Sequence, residues 1–265
     1  MPLLSPEINI LEKVCIKASK IIIRDFGEIE KLQVSKKGPG DFVTKTDQKV
    51  EEIIIEELER ARPGYNFIAE EGGTTKEKKS EFTWIIDPID GTNNFLHGIP
   101  HFAISIGLEK NSEVIAGMIF DPIKNEMFFA EKGRGAYLNN SRIRVSSRNI
   151  IADSLALTGG PAYAEPNKKI FYEEYIAMCN NFNQVRKLGS AALDLAYIAA
   201  GRAEIFWHKN LKYWDIAAGL IIVREAGGTI TDFRGKTFDL TNNQLLATNS
   251  RLDNETTKIL SSIKW

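Results

Sequence analysis

The chain has 265 residues, of which 43% are hydrophobic and 26% are charged. This composition is typical of a globular protein and excludes a disordered or collagen-like chain. The 34 lysines and arginines nearly balance the 35 aspartates and glutamates, so the formal net charge of -1 gives no general attraction to nucleic acid or to an anionic membrane. We therefore expect binding to depend on local sites, without direct nucleic-acid binding.

The cysteines and the N-terminal segment indicate the cellular compartment. Cys15 and Cys179 are far apart and have no neighbouring cluster of cysteine and histidine, which argues against a disulfide scaffold or a structural zinc site. We expect both thiols to be reduced and mostly buried. The first residues lack the basic start of a signal peptide, and no stretch approaches the roughly 20 apolar residues of a membrane span. The sequence therefore predicts a cytoplasmic protein with no membrane partner.

Two helices are predicted at the start of the chain. Ser5-Pro6 has the pattern of a helix cap followed by proline in the first turn, and apolar residues then recur at helical spacing. The glycines and proline of residues 36–47 predict a loop. A second helix should follow it, with an apolar stripe that includes Val50, Ile54 and Leu58, and should end before Pro63-Gly64.

The middle of the chain is predicted to form a mainly antiparallel sheet. Five segments are short, rich in β-branched or aromatic residues and bounded by turn formers: NFIAE, FTWIID, HFAISIGLEK, EVIAGMIFD and NEMFFAEKG. Asn139-Asn140 predicts a further hairpin. From about Asp153 onward, strand-like and helix-like segments alternate. We expect a layered α+β and α/β fold with subdomains at roughly 1–150 and 151–265.

The segment WIIDPIDGTNNF, at positions 84–95, carries two aspartates that are three residues apart. Asp87 follows an apolar strand, and Pro88 is expected to redirect the chain so that Asp90 turns back toward Asp87. Two carboxylates at this separation repel each other unless a proton or a cation lies between them. Oxygen ligands favour Mg²⁺, Mn²⁺ or Ca²⁺ over zinc. The pattern therefore indicates a cation site.

The residues after these aspartates indicate an anion site. Gly91-Thr92 permits close backbone approach, and Thr92 or Asn93 is expected to cap a helix whose N–H groups bind an anion. Carboxylates for a metal beside donors for an anion are what phosphoryl chemistry requires. Taken alone, the motif is equally compatible with a strand, a turn and a capped helix that carry no chemistry.

Further acids lie at the ends of other predicted elements. Glu70 and Glu71 end the apolar strand NFIAE, and Asp215 is predicted at the N-cap of an apolar helix. Each is weak support alone, because an aspartate at an N-cap is usually only a cap. Five segments then occur in order over most of the chain: GDFVTKTD, FIAEE, WIIDPIDGTNNF, GSAALDLAYIAAG, and WDIAAG followed by EAGG.

This set of motifs resembles the inositol monophosphatase family of Mg²⁺-dependent, lithium-sensitive phosphatases. The resemblance implies an alternating α/β/α/β/α sandwich that forms one phosphatase domain over residues 1–265, and a homodimer. It also implies hydrolysis of myo-inositol 1-phosphate, or of a related polyol or sugar phosphate monoester, to the alcohol and inorganic phosphate. Two cations about 3.5–4 Å apart would activate the attacking water and stabilise the leaving alkoxide.

The resemblance assigns roles to particular residues. Glu70, Asp87 and the carbonyl of Ile89 would hold a first Mg²⁺, while Asp87, Asp90 and Asp215 would hold a second. A third, weaker Mg²⁺ would lie near Glu70, Mn²⁺ is an alternative metal, and Ca²⁺ or Li⁺ should inhibit. The N–H groups of Gly91 and Thr92 would bind phosphate oxygens. Asp47 and Thr92, linked by a hydrogen bond, would orient and deprotonate the attacking water together with the Glu70 site.

The substrate alcohol is less well defined by the resemblance. In the family, the turn that corresponds to Gly189, Ser190 and Ala191 contacts substrate hydroxyls, Asp215 lies beside them, and a glutamate binds a further hydroxyl pair. That glutamate position is His208 here, which supplies one acceptor when neutral instead of two charged oxygens. Selectivity for inositol would be reduced or shifted if His208 contacts the substrate, and a histidine at the rim with no substrate role is the alternative.

Two further functions remain open at this point. The first is another substrate of the same superfamily: 3′-phosphoadenosine phosphate, histidinol phosphate or fructose 1,6-bisphosphate. The second is a regulatory role, because some bacterial members of the family associate with the transcription machinery. The sequence contains no basic stripe or RNA-binding motif that would support direct contact with nucleic acid.

Overall fold

The N-terminal part of the chain forms two helices and a small hairpin. The structure, a computed structural model, describes residues 5–28, 34–38, 41–75, 80–161 and 168–263. Helix α1 (Pro6–Phe26) is capped as predicted, since the Ser5 hydroxyl accepts from the N–H of Ile8 at 3.2 Å. Strands β1 (Val34–Gly38) and β2 (Asp41–Thr44) pair antiparallel before helix α2 (Lys45–Ala61). The prediction of a loop here was wrong, because the valines and threonine around the glycines favour pairing.

An eight-stranded sheet occupies the middle of the chain. Its strands are β3 (Asn66–Ala69), β4 (Gly73–Thr75), β5 (Phe82–Asp90), β6 (Ala103–Lys110), β7 (Glu113–Asp121), β8 (Glu126–Glu131), β9 (Gly135–Leu138) and β10 (Ser141–Ile143). Their order is β10-β9-β8-β7-β6-β5-β3-β4, and only the β3–β5 pair is parallel. Helix α3 (Thr92–Leu96) follows β5. The hairpin predicted at Asn139-Asn140 is confirmed as the turn between β9 and β10.

The last third of the chain forms a five-stranded sheet and four helices. In chain order these are β11 (Leu155–Thr158), α4 (Lys168–Asn181), β12 (Gln184–Arg186), α5 (Ala191–Ala199), β13 (Ile205–Lys209), α6 (Tyr213–Glu225), β14 (Thr229–Thr231), β15 (Gln244–Thr248) and α7 (Asp253–Ser261). The strand order is β12-β11-β13-β15-β14, and β12, β11 and β13 run parallel. The alternation of strands and helices predicted from about Asp153 is therefore observed, and α4 is described from Lys168.

The elements stack in five layers, as the family resemblance implies. Helices α1 and α2 cover one face of the eight-stranded sheet, where Leu11, Ile54 and Trp84 share one hydrophobic cluster. Helices α5 and α6 lie between the two sheets, in a second cluster that joins strands of both. Helices α4 and α7 cover the outer face of the five-stranded sheet through a third cluster that includes Met178 and Leu260. Burial of these apolar faces is the main force that holds the layers together.

Helix α6 approaches the eight-stranded sheet very closely. A Cβ atom added at Gly117 of β7 would lie 2.7 Å from the Cα of Ala218, and one added at Gly107 of β6 would lie 3.0 Å from the Cβ of Ala217. Glycine on the strands and alanine on the helix thus allow backbone contact. The first residues of α6, which include Asp215, are therefore fixed against the strands that carry the other acids.

The predictions about membrane spans and about the two cysteines can also be compared with the structure. Among the described residues, no helix combines the length and the apolarity needed to cross a membrane. Cys15 is buried as expected, but Cys179 on α4 is exposed, because it lies on the outer side of the helix that faces away from the sheet.

Candidate metal and phosphate site

A bulge in strand β5 brings the two aspartates of the central motif onto one side. Asp87 is opposite Ser105 and Asp90 is opposite Ala103, so three steps along β5 match two steps along β6. Residues three apart in a regular strand point to opposite faces, whereas one extra residue restores the same face. The expectation that the strand ends at Asp87 was wrong. Pro88 lies within the bulge, where its missing N–H leaves no gap in the pairing.

Helix α6 supplies the third carboxylate. Asp215 is the third residue of the helix, not its N-cap as predicted, and its Oδ2 accepts from the backbone N–H of Lys212 at 2.7 Å. The Tyr213 hydroxyl donates to Glu109 on β6 at 2.6 Å, and the Ser105 hydroxyl donates to the carbonyl of Trp214 at 3.4 Å. The start of α6 is therefore tied to β6, directly opposite the bulge.

One carboxylate oxygen each from Asp87, Asp90 and Asp215 lies within 4.8 Å of the other two. Asp87 is buried, and Asp90 and Asp215 are half-buried. Burial raises the pKa of Asp87 well above its ordinary value, and the charges of Glu70, Asp90 and Asp215 raise it further. Burial likewise raises the pKa of Asp90 to about 6 and raises the pKa of Asp215. A divalent cation would relieve this repulsion, so the donor set fits Mg²⁺ or Mn²⁺.

Glu70 and Ile89 lie around this group. Glu70 follows β3, where its N–H donates to the carbonyl of Ile86 at 3.2 Å, and its carboxylate is close enough to raise the pKa of Asp87. It is not part of the tight group of three oxygens. The carbonyl of Ile89 accepts from the Thr92 hydroxyl at 3.0 Å, and a carbonyl oxygen has a second lone pair that remains available to a cation.

Helix α2 supports two parts of the site from one face. Asp47 in its first turn is fully buried, and its Oδ1 lies 3.4 Å from the Thr92 hydroxyl. Glu51, one turn later, accepts from the N–H groups of Glu71 at 2.8 Å and Gly72 at 2.5 Å. Residues four apart share a helix face. Asp47 therefore orients Thr92, while Glu51 holds the turn that carries Glu70.

Gly91, and not Thr92 or Asn93 as predicted, occupies the N-cap of α3 with a φ of 100°. This left-handed conformation is costly for any residue with a Cβ. A Cβ here would also lie 3.1 Å from the carbonyl oxygen of His101 and 3.3 Å from that of Gly189. The first N–H groups of α3 have no partner within the helix and point out of its start, where an anion can accept from them.

The segment 188–192 closes the site from the other sheet. Asn94 on α3 donates to the carbonyls of His101 and Leu188, each at 2.8 Å. Ser190 caps α5 and donates its hydroxyl proton to Asp90, which also accepts from the N–H of Ala192 at 2.7 Å. The segment predicted to contact substrate, Gly189 to Ala191, thus also fixes a carboxylate of the acid group.

His208 is half-buried at the end of β13. Its Nδ1 lies 2.6 Å from the carbonyl of Lys209, and its ring packs against Gly159, where a Cβ would lie 1.9 Å from Nε2. Burial lowers the pKa of His208 to about 4, with a smaller contribution from the ammonium of Lys187, although the hydrogen bond to the Lys209 carbonyl acts in the opposite direction. The imidazole is therefore neutral at physiological pH, with Nδ1 protonated and Nε2 as an acceptor.

Three supporting residues were not predicted from the sequence. Glu51 could have been predicted, because it follows Asp47 by four residues on a helix whose apolar stripe faces the core. Asn94 and Lys187 could not. The partner of Asn94 lies about 94 residues further along the chain, and the partner of Lys187 is His208 on β13, which is separated from β12 by β11 in the sheet. Such contacts depend on how the layers pack.

The five layers and the acid group define a mixed α/β protein with a carboxylate site suited to a divalent cation. Comparisons with known proteins narrow this class. Residues 3–264 match the model of the inositol monophosphatase family. Inositol-1-monophosphatase of Mesorhizobium japonicum is 46% identical over 242 residues, which is 91% of each chain. Nus factor SuhB of Xylella fastidiosa is 39% identical over 230 residues, which covers 87% of this chain and 83% of that one.

The fold agrees with this match. The crystal structure of extragenic suppressor protein suhB from Bartonella henselae superposes with a TM-score of 0.93 at 42% identity, covering 97% of this chain and 98% of that one. The chain belongs to the inositol monophosphatase family. The family resemblance that was stated from the motifs is thereby confirmed, and so is the layered fold. The enzyme class of that family, the phosphoric monoester hydrolases, is confirmed with them.

Proposed function

We propose that the protein is a Mg²⁺-dependent phosphatase that hydrolyses inositol monophosphate, or a related polyol or sugar phosphate monoester, to the alcohol and inorganic phosphate. The observation that carries the proposal is the convergence of Asp87, Asp90 and Asp215 within 4.8 Å, beside the N-terminus of α3. Uncatalysed hydrolysis of phosphate monoesters is extremely slow, and enzymes accelerate it by up to ~10²¹-fold. A site that holds cations beside N–H donors for the phosphate can provide such an acceleration.

The acidic residues would hold the cations. Glu70, Asp87 and the carbonyl of Ile89 are proposed for one Mg²⁺, and Asp87, Asp90 and Asp215 for a second, with a weaker third near Glu70. Bound Mg²⁺ would neutralise the phosphate, lower the pKa of a water and stabilise the leaving alkoxide. Ser190 and the N–H of Ala192 would keep the Asp90 carboxylate oriented toward the cations.

The remaining residues would position the reacting groups. The N–H groups of Gly91 and Thr92 would donate to phosphate oxygens, and Asp47 would hold the Thr92 hydroxyl so that its oxygen accepts from the attacking water. Gly189, Ser190, Ala191 and His208 would line the side that receives the alcohol. No side chain needs to attack phosphorus covalently.

Release of inorganic phosphate from inositol 1-phosphate tests the proposal. The purified protein should release phosphate with Mg²⁺, release it with Mn²⁺, and release none after treatment with EDTA. Ca²⁺ or Li⁺ added to the Mg²⁺ enzyme should inhibit. If phosphate release is absent in Mg²⁺ and Mn²⁺ alike, the proposed function is wrong.

The substrate can be tested by direct competition among classes. Turnover on inositol 1-phosphate should be measured beside 3′-phosphoadenosine phosphate, histidinol phosphate and fructose 1,6-bisphosphate. The proposal predicts the highest kcat/KM for inositol 1-phosphate or another polyol or sugar ester. A preference for the adenosine or histidinol ester would assign the protein to a different substrate class.

A regulatory role is the second candidate, favoured by the 39% identity to a protein named Nus factor SuhB. We propose it as compatible with catalysis. A pull-down from cell extract with an Asp90→Asn variant should recover RNA polymerase or elongation factors if the role exists, and recovery of neither would count against it.

We also propose that the protein is a homodimer in the cytoplasm. Sedimentation should then give twice the chain mass of 29.7 kDa.

A further inference from the structure

Three neighbouring parallel strands end beside the acid group. Strands β12, β11 and β13 lie next to one another, with Leu157 of β11 opposite Arg186 and Thr158 opposite Trp207. Their carboxyl ends therefore lie at one edge, where parallel sheets bind ligands. Lys187 follows the end of β12, Gly159-Gly160 follow the end of β11, and His208 is the penultimate residue of β13. We call this set the strand-end corner.

The strand-end corner is continuous with the proposed metal site. Lys187 is followed by Leu188, whose carbonyl accepts from Asn94, and then by Gly189 and Ser190. Ser190 donates to Asp90. One short segment thus links the lysine to a carboxylate of the acid group, so the corner lies on the side from which the alcohol part of a phosphate ester would extend.

The direction of His208 follows from its strand. The next residue, Lys209, points to the outer face of the sheet, where its ammonium lies 2.5 Å from the Glu174 carboxylate. Successive side chains in a strand point to opposite faces. His208 accordingly points inward, with its ring centroid 6.0 Å from that of Phe206 in the core between the sheets.

The glycines provide room for both side chains. A Cβ at Gly159 would lie 1.9 Å from Nε2 of His208, and a Cβ at Gly160 would lie 2.7 Å from the Lys187 ammonium. The two side chains therefore lie against consecutive glycines. Any larger residue at these positions would displace the imidazole or the ammonium.

The charge of Lys187 is uncompensated in this corner. Among the described residues the ammonium makes no ion pair, and it lies 5.5 Å from the ring centroid of Phe171. Its carboxylate partner would be expected at position 208, where the family resemblance implies glutamate. A neutral histidine there cannot pair with the lysine and leaves one positive charge beside one hydrogen-bond acceptor.

We propose that the strand-end corner selects phosphate esters whose alcohol carries a second anionic group, a carboxylate or a phosphate, which Lys187 binds while His208 accepts from a hydroxyl of the same alcohol. The inference rests on the proposed function, because it concerns the alcohol side of the same site. A lysine adds attraction for an anion, whereas a glutamate at position 208 would repel it.

Two matched substrate pairs test the proposal. Glycerol 2-phosphate and 2-phosphoglycerate differ by one carboxylate in place of a hydroxymethyl group. Fructose 1-phosphate and fructose 1,6-bisphosphate differ by one phosphate. With Mg²⁺ present, the anionic member of at least one pair should have a kcat/KM about tenfold higher, mainly through a lower KM. The pair that responds identifies whether the group is a carboxylate or a phosphate.

Variants assign the effect to the corner. Lys187→Gln should reduce kcat/KM for the anionic ester about tenfold more than for its neutral partner. His208→Glu should also remove the preference, because the new carboxylate pairs with Lys187. Arg186→Gln is the matched control, since Arg186 is exposed, donates to Gln184 within its own strand and should leave the ratio unchanged.

The outcomes separate this inference from the proposed function. If the wild type releases phosphate from inositol 1-phosphate but prefers the anionic ester of neither pair, the inference is wrong and the proposed function stands. It is equally wrong if Lys187→Gln keeps the preference. If none of these esters is hydrolysed, the proposed function fails first.

Discussion

Asp90 accepts hydrogen bonds from Ser190 and Ala192, which lie 100 and 102 residues further along the chain. Asp90 itself was predicted as a site residue from the spacing of the DPIDGT motif, because two carboxylates three residues apart repel each other unless a proton or a cation lies between them. The bulge that turns them to one face, and the donors that hold one of them, were not predictable. The bulge depends on how β5 pairs with β6, and the donors depend on the position of the start of α5.

The raised pKa values predict how stability without metal depends on pH. Asp90 has a folded pKa of about 6, above the ~3.9 of an unfolded chain. Its neutral form favours the fold, so this stabilisation is complete below pH ~4 and is lost as pH rises through about 6. In EDTA, the wild type should therefore become less stable relative to Asp90→Asn between pH 4 and pH 7. Urea unfolding of both proteins at several pH values measures this difference, and a constant difference would contradict it.

Proton competition predicts the pH dependence of metal binding. Cations bind the ionised carboxylates, and burial and mutual repulsion raise the pKa of Asp87, Asp90 and Asp215. The affinity for Mg²⁺ should therefore fall as pH decreases from 8 through 6, with protons released on binding. Isothermal titration calorimetry in buffers of different ionisation enthalpy counts these protons. Binding of Mg²⁺ without proton release at pH 6 would contradict the assignment.

Gly91 combines left-handed backbone geometry with close neighbours. Gly91→Ala should lower the free energy of unfolding by about 1–3 kcal/mol and reduce phosphate release, because both the strain and the contact with the Gly189 carbonyl displace the start of α3. Gly64→Ala is the matched control, with a φ of +83° and no atom within 4 Å of the added Cβ. It should lose stability from strain alone and keep its activity. Equal activity of the two variants would contradict the role given to Gly91.

At the scale of elements, sequence periodicity predicted most helices and strands, since each buries one apolar face. The exceptions have physical causes. The hairpin of β1 and β2 was read as a loop because its glycines and proline also mark loops. Asp215 was placed at the N-cap, although the structure puts it three positions into α6. There its carboxylate accepts from the N–H of Lys212, as an acid at the third position of a helix commonly does.

The contact between α6 and β7 sets the position of Asp215. Gly117→Ala should lower the free energy of unfolding by about 1–3 kcal/mol through overpacking, since its Cβ would lie 2.7 Å from Ala218. It should also reduce turnover, because α6 must move. Leu260→Ala in α7 should cost about 2–5 kcal/mol by leaving a cavity, but it lies in the outer layer and should keep its turnover at temperatures where it is folded. Denaturant unfolding and phosphate release, measured on both, distinguish loss of stability from displacement of the site.

At the scale of the whole molecule, the layered fold was predictable because the order of the elements allows few arrangements that bury every apolar face. The two sheets divide between β10 and β11, close to the boundary predicted at residue 150. That residues 1–265 act as one domain with two subdomains remains a proposal, as does the homodimer. Both depend on surfaces that local sequence patterns do not specify.

The site is assembled only by the whole fold, since its carboxylates come from β5 and α6 and their supports from α2 and α5. Asp90→Asn removes one ligand charge and also relieves repulsion, so it separates catalysis from folding. Asp153→Asn makes the same chemical change at an exposed position away from the site.

Mg²⁺-dependent phosphate release from inositol 1-phosphate by these two variants, with the melting temperature of each in EDTA, is the most direct measurement. The kcat of Asp90→Asn should be at least about 100-fold lower than that of the wild type, which is the effect of removing a single electrostatic contact from a transition state. Its melting temperature should be no lower than that of the wild type. Asp153→Asn should match the wild type in both. Full Mg²⁺-dependent activity in Asp90→Asn would show that the acid group is not the catalytic metal site.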